Sequence, residues 1–219
     1  MDNIQSHSQG KDMDIIDTYN KLSLRKYGEI QAITKNESLE EVDRVVAILS
    51  VLTDMSEEDI LHLPLGEFSE LSSKISFLSA EGFVAKRIAK KYTLGKWELI
   101  PVSDYRKLET CQYIDFKTYA SDYESHFAEL LSVILVPKGH RYNEGYDILE
   151  LQEALRDGMN VADGVTIVAF FLTLFKGLIE DSLDFSKEAA KGIKDKGKRE
   201  EILGRIKEQE TLLRTSGDG

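Results

Sequence analysis

Between Leu39 and Leu78 the chain reads as an apolar helix, a short capped turn, a proline break and a second helix. Val42, Val45, Val46, Ile48, Leu49 and Leu52 cover too wide an arc for a surface helix. β-Branched side chains lower its intrinsic propensity, so tertiary burial must hold it. Ser38 with Glu41 has the capping-box form. Ser56 can accept a backbone NH at the next helix start, and Glu57, Glu58 and Asp59 then lie over the positive end of that helix dipole. Leu63-Pro64-Leu65 closes the short helix, because proline disfavours helix in the preceding residue. Phe68, Leu71, Ile75 and Leu78 resume helical spacing. A chain organised around such a stretch is expected to be mainly α.

The flanks extend this pattern. Ser23 is a candidate N-cap for a helix carrying Leu24, Tyr27, Ile30 and Ile33. After Gly82, Phe83–Tyr92 and Trp97–Val102 read as two strands around Leu94-Gly95-Lys96, with Lys86, Lys90 and Lys96 on an exposed face. Helix is expected again over Tyr105–Tyr119, and over Phe127–Val136 up to Pro137. A polar loop, Lys138–Gly145, precedes a short helix at Ile148–Leu155. Asn160 and Asp163 can cap an apolar helix over Val161–Leu183. From Ser186 onward the chain is almost wholly charged, with Ile193, Ile202, Leu203, Ile206 and Leu212 as sparse apolar marks. That is a solvated helix, or one whose stripe is used only against a partner.

Three pieces recur in the same order. LSLRKYGEIQAI from Leu22 resembles LETCQYIDFKTY from Leu108, ILSVL at Ile48 resembles LLSVI at Leu130, and ISFL at Ile75 resembles VAFFL at Val168. The series indicates a duplicated helical module at a spacing of roughly 80–90 residues. The expected architecture is two related helical modules, 14–82 and 104–185, with a β-hairpin or ribbon at 83–103 between them. A flexible tail at 1–13 and a charged C-terminal helix at 186–219 flank them.

The net charge of -11, from 39 acidic and 28 basic residues, argues against nucleic acid as the main partner. The most apolar run, Val165–Ile179, is interrupted by Lys176 and Gly177 and is shorter than the ~20 residues that span a bilayer. It is expected to be a buried helix, with no membrane partner. The single cysteine, Cys111, forms no internal disulfide or paired-cysteine metal site and fits a core position.

No phosphate-binding, dinucleotide-binding, nucleophile-elbow or EF-hand pattern is present in the sequence. None of the four histidines, His7, His62, His126 and His140, has a partner at metal-ligand spacing. No catalytic residue, metal or cofactor is assigned, and the chain is read as a non-enzyme. Lys138, His140, Arg141, Asn143 and Asp147 form a dense polar loop; the alternative to a solvated loop is an anion site, the one foothold for a small anion-binding helical enzyme. Trp97, Tyr92, Tyr142 and Tyr146 lie where amphipathic rings serve as contact anchors. With His140, Arg141, Ile202 and Ile206 they make up the candidate partner-binding set.

Two groups of residues carry a family resemblance. LSVLT from Leu49, Ser56-Glu57-Glu58-Asp59, Leu63-Pro64-Leu65 and the run from Phe68 to Leu78 resemble tail-assembly-chaperone-type proteins of tailed bacteriophages. YIDFKTY from Tyr113, LLSVILVPKG from Leu130 and MNVADGVTIVAFFL from Met159 are similar to a virion-module protein of crAss-like and related phages of Bacteroidetes. The resemblance spans roughly residues 20–180 and rests on packing and capping motifs. It implies a helical, non-catalytic assembly protein that contacts itself or other tail or connector proteins. Such a protein would act in the host cytoplasm as a chaperone on the tape measure protein. The alternative is a ring or connector subunit retained in the virion.

Overall fold

The centre of the molecule is a helix with almost no polar face. The computed structural model describes residues 15–79, 87–123, 125–192 and 195–215. In the helix Phe127–Ile134 (α6), Ala128 and every residue from Leu130 to Ile134 are buried. A helix apolar all round must be covered on all sides. Its cover comes from α5 (Thr110–Ala120), α7 (Ile148–Gly158) and α8 (Val161–Lys191). In the first half α2 (Glu41–Thr53) packs against α1 (Leu24–Lys35), α3 (Glu57–Leu61) and α4 (Leu65–Lys74). A 3₁₀ turn, Ile75–Ser79, follows α4.

The halves meet through α1, which packs on α7 and α8. Leu24 N donates to Met159 O, and Val161 N donates to Leu22 O, so α1 and α8 start from one antiparallel bridge. Leu22 and Val161 are fully buried there. One apolar cluster runs from Ile15 to Phe171.

The strands β1 (Tyr92–Leu94), β2 (Trp97–Pro101) and β3 (Leu135–Pro137) form an antiparallel sheet in that order. The expected ribbon exists, but its first strand is shorter than Phe83–Tyr92. Residues 87–91 are irregular, and 83–86, with Lys86, lie outside the described residues. It does not stand apart from the second half, because β2 pairs with β3 in the register Leu99 to Pro137 and Pro101 to Leu135. The helix expected to reach Val136 therefore ends at Ile134. Val102 N donates to Ile134 O, and Lys138 N donates to Glu98 O, closing the ladder at both ends. Pro137 has no NH to give and sits at the end of an edge strand, where none is required.

The local capping signals hold at three helices. Ser23 Oγ accepts from Lys26 N, Ser56 Oγ from Asp59 N, and Asn160 Oδ1 from Asp163 N. Ser38 does not cap. Its hydroxyl donates to Asn36 Oδ1 in a local turn, and α2 begins only at Glu41. The helix expected over Tyr105–Tyr119 is split, because Asp104 turns back onto Arg106 and Glu109 starts α5 anew as its N-cap. α8 runs past Leu183 through Ser186 to Lys191, where Gly192 follows. The charged helix after it, α9, is Lys196–Thr215. Cys111 is exposed rather than buried, and its neighbour Gln112 takes the inward place on α5. No helix among the described residues is long and apolar enough to cross a membrane.

Candidate interaction sites

Two surfaces merit description, a polar cleft at the end of the sheet and an apolar groove between helices. The cleft begins with the tight turn Gly95-Lys96, whose glycine has φ +53. Leu94 of β1 packs against Gly158 of α7, where an added Cβ would approach it to 3.3 Å. The hairpin thus lies along α7, and its tip reaches that helix's first turn. There Lys96 Nζ pairs with Glu150 and lies 4.8 Å from the centroid of the Trp97 ring.

The loop after β3 supplies the other wall. Tyr146 meets Trp97 edge-on at 6.1 Å and His140 edge-on at 5.7 Å. Asn143 N donates to the Tyr146 hydroxyl at 2.9 Å, and Asp147 accepts from Leu149 N and Glu150 N to cap α7. Gly145 has φ +80, and a Cβ there would lie 2.8 Å from His140 Nδ1, so glycine alone allows the ring to fold back. The result is an open cleft of about 430 Å³ lined by Lys96, Trp97, Glu98, His140, Tyr146 and Glu150. Lys138 bonded to Glu98 holds that carboxyl below its ordinary value. Burial pushes the Tyr146 phenol up.

The candidate residues divide. Trp97, His140 and Tyr146 come together in the cleft. Tyr92 is half-buried on β1, with its hydroxyl accepting from Ala89 N. Arg141 turns away from the cleft to Glu109, at 2.9 Å, and to Glu144. Tyr142 is no exposed anchor. It is 8% exposed, and its hydroxyl donates to Asp115 Oδ2 at 2.8 Å, which roots the loop onto α5. Ile202 is half-buried on α9, and the side chain of Ile206 lies outside the described residues. The loop's cations are engaged by carboxylates, Lys138 by Glu98 and Arg141 by Glu109, which works against an anion site. Among the described residues no group of three or more His, Cys, Asp or Glu is arranged to hold a metal.

The groove was not legible in the sequence. It holds about 230 Å³ between α1, α8 and the start of α6, lined by Leu24, Tyr27, Gly28, Phe127, Val168 and Leu172. Its rims are Tyr123, 56% exposed, and Leu172, 47% exposed. Glycine within a helix costs stability relative to alanine, yet a Cβ on Gly28 would meet nothing within 4 Å. Packing within the chain therefore does not require glycine there. Gly164 differs, since a Cβ would come within 3.2 Å of Leu24 and 3.3 Å of Phe127.

No protein-family model, curated protein or solved structure matches the chain.

Proposed function

We propose that this chain is a non-enzymatic assembly protein of the tailed-phage type, acting by protein–protein contact in the manner of a tail assembly chaperone. The observation that carries the reading is the apolar groove with Tyr123 and Leu172 exposed on its rims. Apolar side chains at such exposure gain free energy only when a partner covers them. On this reading an apolar helix face of the tape measure protein lies in the groove during assembly in the host cytoplasm.

Internal duplication belongs to the same proposal, and three features support it. The second helix of each half is the hub, α2 touching α1, α3 and α4 as α6 touches α5, α7 and α8. Ile30 and Phe116, matched in the repeat, are both 2% exposed. In each half an aromatic ring in or just before the first helix meets one in or just after the fourth, Tyr19 with Phe77 of the 3₁₀ turn at 5.1 Å and Phe116 with Phe171 of α8 at 4.8 Å.

A ring or connector subunit is the second reading. A closed ring needs two different surfaces on each protomer. Leu61 and Leu65, 64% and 82% exposed across the Pro64 turn, offer a surface other than the groove. Native mass measurement on the purified chain separates the two. A monomer or small oligomer that binds the tape measure protein, and loses it on Leu172→Glu, supports the chaperone. A stable ring of about twelve copies, dispersed by Leu65→Glu, supports the connector. A chain that stays monomeric and binds no other protein of the same virus would sink both.

A further inference from the structure

The Trp97 cleft already contains a cation, and that cation belongs to the chain itself. Lys96 Nζ lies over the indole ring while pairing with Glu150. An ammonium over tryptophan beside a carboxylate is the environment in which proteins recognise cationic groups. We infer that this cleft is a recognition site for a basic side chain, an arginine or lysine presented by a partner chain, and that Lys96 is its internal stand-in.

Three observations favour an exchangeable occupant over a structural pin. Lys96 sits at the tip of a two-residue turn, and its side chain is 62% exposed. Such a pair gives up side-chain entropy and is screened by solvent, so it holds weakly. The ring is presented by a rigid frame: Trp97 opens β2, Tyr146 backs it edge-on, and Glu150 is fixed in the first turn of α7. The other carboxylates are already engaged, Glu98 by Lys138 and Lys91 and Asp147 by the backbone NH groups it caps, so releasing Lys96 leaves Glu150 without a cation on a chain of net charge -11. A guanidinium fits the vacated place better than the lysine does. Its plane can stack on the indole while its NH groups donate to Glu150. The inference takes from the functional reading only that the partner is a protein.

The chain has one tryptophan, so its fluorescence reports on this cleft alone. The full chain is titrated with N-acetyl-arginine amide and with the matching citrulline compound, which keeps the shape and lacks the charge. A saturable change with arginine and none with citrulline is expected. Lys96→Ala should tighten arginine binding by roughly three- to fivefold, and Glu150→Gln should weaken it by a similar factor. Binding seen only in Lys96→Ala would equally support the stand-in role. Lys96→Met, which retains the stem along the ring, guards against a disturbed turn and should behave as Lys96→Ala. An equal response to citrulline, or no tightening in either Lys96 variant, would overturn the inference. Because the probe is a small molecule, a negative result here leaves the groove's role in assembly to its own test.

Discussion

Gln152 of α7 donates through Nε2 to Ser132 Oγ of α6 at 3.2 Å, and both side chains are buried. From the other side, Gln112 of α5 donates to Val133 O at 3.1 Å. Two amides thus hold the central helix in register between its neighbours, because any slide would leave buried polar groups unpaired.

The two clamps should differ in strength. Gln112→Met strips Val133 O of this donor, and also removes the Oε1 that accepts from Glu109 N at the start of α5. A loss of about 1–3 kcal/mol is expected. Gln152→Met should cost about 0.5–1.5 kcal/mol, since Ser132 keeps its own bond to Glu129 O. Urea unfolding of the two variants measures the difference, and equal losses would contradict it.

Two glycines should respond oppositely to alanine. Gly164→Ala pushes a methyl into Leu24 and Phe127 and should destabilise by about 1–3 kcal/mol. Gly28→Ala has open space and should stabilise α1 by about 0.5–1 kcal/mol. On the proposed function the same change narrows the groove, so partner binding should weaken while the melting temperature rises. Both readouts rising together would argue against the groove.

Tyr142→Phe should lower stability by about 1–2 kcal/mol through loss of the bond to Asp115. Burial first, and the Asp115 bond second, push the Tyr142 phenol above its ordinary value of 10.0. The folded state thus holds this proton more tightly than the unfolded chain. Its contribution is complete below about pH 10 and declines as pH rises further, when the unfolded phenol ionises. Stability in the wild type should therefore fall more steeply above pH 10 than in Tyr142→Phe, which denaturant midpoints across that range will show.

Arg25 of α1 bridges Glu153 and Asp157 of α7, and its bonds hold both carboxyls below their ordinary values. Groups lowered in the folded state stabilise above the unfolded carboxylate range, and the contribution is lost as pH falls through their folded values. All three side chains are exposed, so salt should screen the effect. Acidification from pH 7 to 3 should cost the wild type more than Arg25→Met, and molar salt should close the gap. An equal cost of acidification in the two proteins would contradict the ion-pair role and assign Arg25 a packing role, which does not change with pH.

Features set within a few residues could be read before any coordinates. Ser23, Ser56 and Asn160 cap because the NH groups they accept from are three residues away. The apolar spacing of α2, α6 and α8 reports their burial for the same local reason. Ser38 shows the limit, since an equally local rival, Asn36, took its hydroxyl.

Other outcomes depended on distant partners. Leu135–Pro137 leaves the helix because β2 offers a ladder 34 to 38 residues earlier in the chain, and local propensity carries no record of that offer. Tyr142 turned inward because α5 places Asp115 within reach of its hydroxyl, while Trp97, His140 and Tyr146, scattered in sequence, converge around the hairpin tip. The groove beside Gly28 exists only because α1 of the first half lies on α8 of the second. Helices, caps and the acidic character follow from short-range hydrogen bonding, periodicity and composition. Which surfaces are covered, and which stay open, follows from the packing of segments from 27 residues apart, as Tyr142 and Asp115 are, to 135 apart, as Leu24 and Met159 are.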